Sequence, residues 1–147
     1  DAAAALYTEA LAVIREPDAL GHYSRAHLGL AILADEAGDI AGARTHLVAA
    51  TEAPAATLAL QLPEMLATIA GIVARHDPLI ASLAWASAQA IMAQTRTNPV
   101  SPHDALRVSA IIDAVRPRIS GGGAPPPPTT DDAALELART AVASLPS

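Results

Sequence analysis

The chain has 147 residues, which is enough for one domain with a real hydrophobic core. It contains no cysteine, and this excludes a disulfide framework, a thiolate metal site and a cysteine nucleophile. The net charge is −6 and the nine basic residues are scattered arginines, so we expect no direct contact with nucleic acid.

The kind of apolar residue predicts an all-α fold. Hydrophobic residues make up 52% of the chain, yet aromatic residues make up only 2% and phenylalanine is absent. A core of Leu, Ile, Val and Ala suits close helix packing better than a β-sandwich. No apolar run approaches the roughly 18 residues of a membrane span, and no signal peptide is visible. We therefore expect no membrane contact and a cytoplasmic location.

Two helices that meet at a glycine are predicted in the first third of the chain. Residues 2–16 form a preceding helix, which ends because a proline follows. The next helix covers 24–37 and ends at Gly38, since glycine most easily adopts the left-handed conformation that closes a helix. Asp39 is placed to cap the third helix, 39–52. A connection this short makes the last two helices antiparallel neighbours.

The middle of the chain predicts a second helix pair with an ambiguous beginning. Residues 55–75 have a helical pattern that contains Pro63. Either a short helix (55–62) precedes a main one (63–75), or one helix kinks at the proline, and we favour the single kinked helix. The second hinge is His76-Asp77, which is followed by a helix over 78–94 with proline at its first position.

The last third predicts a capped helix, a linker and a final helix. Ser101, Pro102 and Asp104 give an N-cap, a proline in the first turn and an acid that favours a helix start. Together, the predicted helices up to this point form a helical-repeat domain over 1–119.

The end of the chain predicts a linker and a final helix. Residues 120–130 are rich in glycine and proline, which predicts a linker. Residues 131–147 are predicted to form a helix that packs back on the repeats.

An internal repeat is suggested by a small–large–small register in three of these helices. The offset between copies is about 40 residues, inside the range that is typical of helical repeats. We expect Trp85, the single tryptophan, to fill the core between repeats as the large residue of its copy. The three sets are Ala43, Leu47 and Ala50; Ala81, Trp85 and Ala88; and Ala3, Tyr7 and Ala10.

The first predicted hairpin resembles the tetratricopeptide (TPR) repeat. The resemblance rests on Leu30 and Ala31 in its first helix, Gly38-Asp39 at its turn, and Ala43, Leu47 and Ala50 in its second helix. The order of parts is also similar to the C-terminal helical-repeat region of large actinobacterial transcriptional regulators, of the LuxR and antibiotic-regulatory types. The stretches of this chain that match that region are residues 77–93, 98–102 and 130–135. His76 departs from the glycine that is usual at the turn.

The resemblance implies a fold and a role. The fold would be TPR-like antiparallel helix hairpins that form a short right-handed superhelix. In the regulators this region is a sensor or coupling module beside an ATPase and a DNA-binding domain. Neither a phosphate-binding glycine loop nor a convincing helix-turn-helix motif is present in this sequence.

No catalytic, cofactor or metal site is predicted from the residue patterns. His22 and His27 lie five apart, off the i,i+4 spacing that directs two imidazoles at one metal, and both are interpreted as partly exposed residues near a helix start. His46 and His103 are expected to face solvent. The serines lack a base and an orienting acid at recognisable positions, so we predict that the chain is not an enzyme.

Two functional interpretations remain open. In the first, a concave helical face binds a partner protein or an adjacent domain of the same polypeptide, and the chain is a non-catalytic interaction or coupling module of a larger regulator. In the second, the groove holds a small-molecule effector. A protein-docking face should be broad and lined by Arg, Glu and Gln, whereas an effector pocket should be enclosed and apolar with a few converging polar groups. The scarcity of aromatic residues favours protein docking.

Overall fold

The structure, a computed structural model, describes residues 2–14, 20–119, 125–128 and 130–147. Helices account for the regular structure of these residues, and no strand occurs among them, so the all-α prediction is confirmed. None of the described helices combines the length and the apolar character needed to cross a membrane. The helices are α1 (Ala2–Val13), α2 (Leu20–Glu36), α3 (Ile40–Ala50), α4 (Ala55–Leu58), α5 (Leu62–Val73), α6 (Pro78–Thr95), α7 (Pro102–Val115), which continues into a 3₁₀ turn (Arg116–Arg118), and α8 (Asp131–Ala143).

The first hairpin, α2 with α3, forms where the glycine signal predicts it. Gly38 has a φ of 79°, in the left-handed region that glycine favours. The Asp39 carboxylate accepts a hydrogen bond of 2.8 Å from the Gly42 amide and so caps α3. The buried Ser24 hydroxyl donates to the Ala50 carbonyl at 2.9 Å, which joins the start of α2 to the end of α3. The two helices are therefore antiparallel.

The stretch that contains Pro63 forms two helices, so the favoured single kinked helix is wrong. Residues 59–61 separate α4 from α5, and the backbone N–H of Gln61 donates to the Leu58 carbonyl at 2.8 Å in the turn between them. Pro63 lies in the first turn of α5, where a missing amide hydrogen costs no helical hydrogen bond. The proline thus starts a helix instead of bending one.

The later helices begin at side-chain caps. Asp77 accepts a hydrogen bond from the Ile80 amide at 3.0 Å at the start of α6. Ser101 accepts one from the Asp104 amide at 3.1 Å at the start of α7. Thr130 caps α8 in the same way. Each cap satisfies an amide that the first helical turn leaves unpaired.

Helix α5 is the centre of the core. Every residue of this helix except Glu64 is buried, because α2, α6, α7 and α8 all pack against it. Helix α8 also contacts α3 and α4, and its Arg139 guanidinium donates to the Thr51 carbonyl at 3.0 and 3.1 Å. That contact places a cation at the C-terminus of α3, where the helix dipole favours it. Most of the predicted linker, residues 120–124 and 129, lies outside the described residues.

Helices α2, α5 and α7 run parallel at an offset close to the predicted repeat length. Arg25 pairs with Glu64, 39 residues apart, at 3.0 Å, and Asp35 pairs with Arg75, 40 residues apart. The Arg118 guanidinium, just after α7, donates to the Arg75 carbonyl, 43 residues away, at 3.2 Å. These contacts place equivalent ends of the three helices side by side. The right-handed superhelix stays a prediction.

Helix α1 packs against α2 through an aromatic ring on a glycine. A Cβ atom at Gly29 would overlap the ring of Tyr7, so the close approach of the two helices requires glycine there. Another side of α1 carries Leu6 and Val13, whose exposed fractions are 66% and 72%. The contact between α1 and the rest of the chain is thus confined to one side.

The burial of neighbouring residues in the first hairpin predicts that two adjacent substitutions differ strongly in their effect on stability. Leu47 is fully buried in the core, whereas Val48 is 43% exposed. Leu47→Ala should lower the free energy of unfolding by about 2–5 kcal/mol, because it removes core contacts and leaves a cavity. Val48→Ala should change it by less than about 0.5 kcal/mol. Urea unfolding followed by circular dichroism measures both, and equal effects would contradict the assignment of Leu47 to the core.

Candidate functional site

A groove lies on the face that α2, α5 and α7 share. We call it the α2–α5–α7 groove; its cavity volume is about 220 Å³. Ala67 and Thr68 of α5 form its floor, and Ile32 of α2 and Val108 of α7 form its apolar walls. The residues before α7 close one side. The parallel arrangement of the three helices creates this groove, because each contributes one wall or the floor.

The rim of the groove is charged. Glu64 accepts from Arg25 at 3.0 and 3.1 Å, and Asp104 accepts from the Ser101 hydroxyl at 2.6 Å. The Arg107 guanidinium lies 3.9 Å from Asp104, a loose pair in which the arginine side chain is 40% exposed. Such exposed pairs contribute only about 0–1 kcal/mol each. The rim can therefore exchange these partners for groups of a ligand at small cost.

A second polar feature lies between α2 and α3, where two imidazoles meet. The Nδ1 atoms of His27 and His46 are 3.0 Å apart, and both side chains are half-buried. The ring centroids are 5.2 Å apart with an interplanar angle of 36°. The edge of Tyr23 packs against His27 with a centroid distance of 4.5 Å. We call this contact the imidazole pair.

No spacing within a single helix reveals the imidazole pair. His46 is expected to face solvent, but its ring is half-buried against His27. The two residues are 19 apart and on different helices, so no helical spacing connects them. His22, His76 and His103 are exposed.

The surroundings of His27 lower the pKa of this side chain. Burial is the largest cause because it disfavours the charged imidazolium, and the positive charge of a protonated His46 lowers the pKa further. The Glu52 carboxylate acts in the opposite direction and raises it. The folded protein therefore favours a neutral His27 relative to the unfolded chain.

A third cleft lies beside Trp85, between α6 and the start of α7. Its volume is about 370 Å³, and its lining includes Trp85, Met92, Gln89 and Asn98. Arg96, which ends α6, has a φ of 52° and is the one non-glycine residue with positive φ in the described part of the chain. The cleft is wide and open, with amide groups beside an apolar floor.

The residues that the sequence predicts as repeat positions lie in the core and at the hinges, and they do not converge on one site. Gly38, Asp39 and His76 are exposed at the hinges, and Asp77 is half-buried. Ser101, Pro102 and Asp104 are exposed at the start of α7, beside the groove. The buried repeat positions are Leu30, Ala31, Ala43, Leu47, Ala50, Ala81, Trp85 and Ala88.

No protein-family model, curated protein or solved structure matches the chain. Within the described ranges, no group of three or more His, Asp or Glu side chains is arranged to hold a metal ion. The functional interpretation therefore rests on the groove, the imidazole pair and the Trp85 cleft.

The imidazole pair predicts a pH dependence of stability. Because the folded-state pKa of His27 is lowered, the unfolded chain binds more protons below about pH 6.5, the ordinary pKa of histidine. The contribution of His27 is therefore complete above that pH and is lost as the pH falls through the folded-state pKa. His27→Gln should flatten the dependence of unfolding free energy on pH between about pH 7.5 and 5.

Urea unfolding across a pH series measures this effect. His22→Gln, at an exposed histidine of the same helix, is the matched control and should leave the wild-type profile unchanged. If the unfolding free energies of the wild type and of His27→Gln changed equally with pH, His27 would not contribute to the pH dependence of stability.

Proposed function

We propose that the chain is a non-catalytic protein-docking module of a larger regulator, and that it binds a polypeptide segment of a partner protein or adjacent domain in the α2–α5–α7 groove. The observation that supports this proposal most directly is the shared surface of three parallel helices, with apolar walls and a charged rim. A broad, charged helical face is what protein docking requires.

The size of the groove supports a polypeptide ligand over a whole effector molecule. Its volume of about 220 Å³ is below the range of about 300–1,000 Å³ that is usual for pockets that enclose small-molecule ligands. A groove of this size takes one or two side chains of a longer segment, whose remaining residues lie along the rim. Thr68, on the floor, adds a hydroxyl group to the lining of the groove.

Charge indicates the chemistry of the partner segment. Glu64 and Asp104 outnumber Arg107 in the groove lining, and the whole chain has a net charge of −6. A segment with a medium-sized apolar residue flanked by Lys or Arg complements this surface. Its affinity should therefore weaken as salt is added, since exposed charge pairs are screened.

The family assignment is part of the same proposal. Two contacts support a TPR-like repeat: the Arg25–Glu64 and Asp35–Arg75 pairs, which join parallel helices at offsets of 39 and 40 residues. We place the chain in the helical-repeat region of an actinobacterial-type transcriptional regulator in the cytoplasm, where docking on this face couples one domain to another. The right-handed superhelix belongs to this proposal as well.

The Trp85 cleft supports the second candidate function, the sensing of a small-molecule effector. Its volume of about 370 Å³ falls within the range of ligand pockets, and none of the described residues that line it is charged. Its open shape makes it the weaker candidate. An effector there would be an uncharged molecule with hydrogen-bonding groups that match Gln89 and Asn98.

A peptide selection tests the docking proposal. Random peptides displayed on phage should be enriched on the immobilised chain for an apolar residue with basic neighbours. Thr68→Tyr fills the groove floor and should weaken the affinity of the selected peptides by at least about tenfold, a loss of about 1.4 kcal/mol in binding free energy. The matched control is Thr45→Tyr, at an exposed position of α3 outside the groove.

Two results would contradict the proposal. Selected peptides that bind the Thr68→Tyr and Thr45→Tyr variants equally well would place docking elsewhere. A neutral metabolite that raises the thermal stability and changes the fluorescence of the single tryptophan would favour the effector function instead.

A further inference from the structure

We propose that the imidazole pair is a binding site for one divalent transition-metal ion, with His27 and His46 as its two protein ligands. Imidazole nitrogen is a common ligand for Cu²⁺, Ni²⁺ and Zn²⁺. The two Nδ1 atoms face each other across the α2–α3 interface at 3.0 Å. This site is separate from the α2–α5–α7 groove and does not depend on the docking proposal.

The separation of the two nitrogens fits one bound ion. With metal–nitrogen bonds of about 2.0–2.1 Å, a nitrogen separation of 3.0 Å corresponds to an angle at the metal of about 91–97°. This is the angle between adjacent ligands of a square-planar or tetragonal ion, which is the geometry that Cu²⁺ and Ni²⁺ prefer. A tetrahedral Zn²⁺ ion requires a wider angle. Copper, which also binds nitrogen ligands most strongly among the divalent ions of this series, should therefore bind best.

The fold brings the two imidazoles together without the ion. The bond from Ser24 to the Ala50 carbonyl, about one turn away on each helix, fixes α2 against α3 at 2.9 Å. The Tyr23 edge contact restrains the ring of His27. Preorganised ligands lose little conformational entropy on binding. Both rings are half-buried, so one side of the site remains open to the water molecules that complete the coordination.

Protonation and charge at the pair are compatible with a cation. In the free protein the short contact is an N–H···N hydrogen bond, so one Nδ1 carries a hydrogen and the other accepts it. Metal binding requires that the protonated ring move this hydrogen to Nε2, and a neutral pair then loses no net proton. Both rings must also turn by up to about 45°, so that the two Nδ1 lone pairs point at the ion and no longer along the line between the nitrogens. The Glu52 carboxylate acts electrostatically on His27 and favours positive charge there. Tyr23 also contacts the pair, through its ring on His27.

Titration of the full chain with Cu²⁺, Ni²⁺ and Zn²⁺ separately, by calorimetry at about pH 7.5, tests the site. We expect one Cu²⁺ ion per chain, bound more tightly than the other two ions. His27→Asn and His46→Asn should each weaken Cu²⁺ binding by more than about a hundredfold, because loss of a ligand exceeds the 10–100-fold cost of losing an outer-shell partner. His22→Asn and His103→Asn, at exposed single histidines, should leave the affinity unchanged.

Electron paramagnetic resonance of the wild-type complex tests the ligands without any variant. Two imidazole nitrogens coupled to Cu²⁺ are expected. Coupling to only one nitrogen, equal binding by His22→Asn and His27→Asn, or the absence of stoichiometric binding would each overturn the proposal. None of these results bears on peptide binding to the groove, so the two proposals fail separately.

Discussion

The close packing of small and aliphatic side chains around α5 is the constraint on which the rest of the structure depends. With no phenylalanine and 2% aromatic residues, the core closes only if helices approach each other closely through alanine. Ala67 and Ala70 of α5 are 3% and 0% exposed, and Ala31, Ala43, Ala81, Ala84 and Ala134 on the surrounding helices are fully buried. Because every residue of α5 except Glu64 is buried, the packing of α5 constrains each neighbouring helix. The parallel arrangement of α2, α5 and α7, and hence the groove, follows from that packing.

Local signals predicted the helix ends, because caps act within one turn. Gly38 with Asp39, Asp77 with its proline, and Ser101 with Asp104 all lie where the chain begins or ends a helix. Pro63 misled the prediction because a proline at a first-turn position and one at a kink leave the same apolar pattern around them. Only the separate packing of Leu58 and Leu62, both fully buried, distinguishes the two cases.

The candidate sites could not be read from single helices, because each joins residues that packing brings together. The groove forms because α2, α5 and α7 lie side by side, about 40 residues apart in the chain. The repeat register suggested that spacing, but it did not show which face of each helix lines the groove. The imidazole pair did leave a signal. His27 and His46 lie at similar distances on either side of the Gly38 turn, as do the hydrogen-bonded Ser24 and Ala50. In an antiparallel hairpin such residues face each other, so the position of the hinge indicates the contact.

The ion pairs between α2 and α5 contribute much less to stability than the apolar core does. Burial of one leucine such as Leu47 contributes about 2–5 kcal/mol, whereas an exposed pair contributes about 0–1 kcal/mol. Arg25 is 54% exposed and Arg75 is 57% exposed, so their pairs with Glu64 and Asp35 cannot be the main source of stability. Apolar packing therefore holds the helices, and these ion pairs add little to the stability of the fold. Because each pair is weak, its members can exchange partners at small cost, which is the property that the proposed docking surface needs.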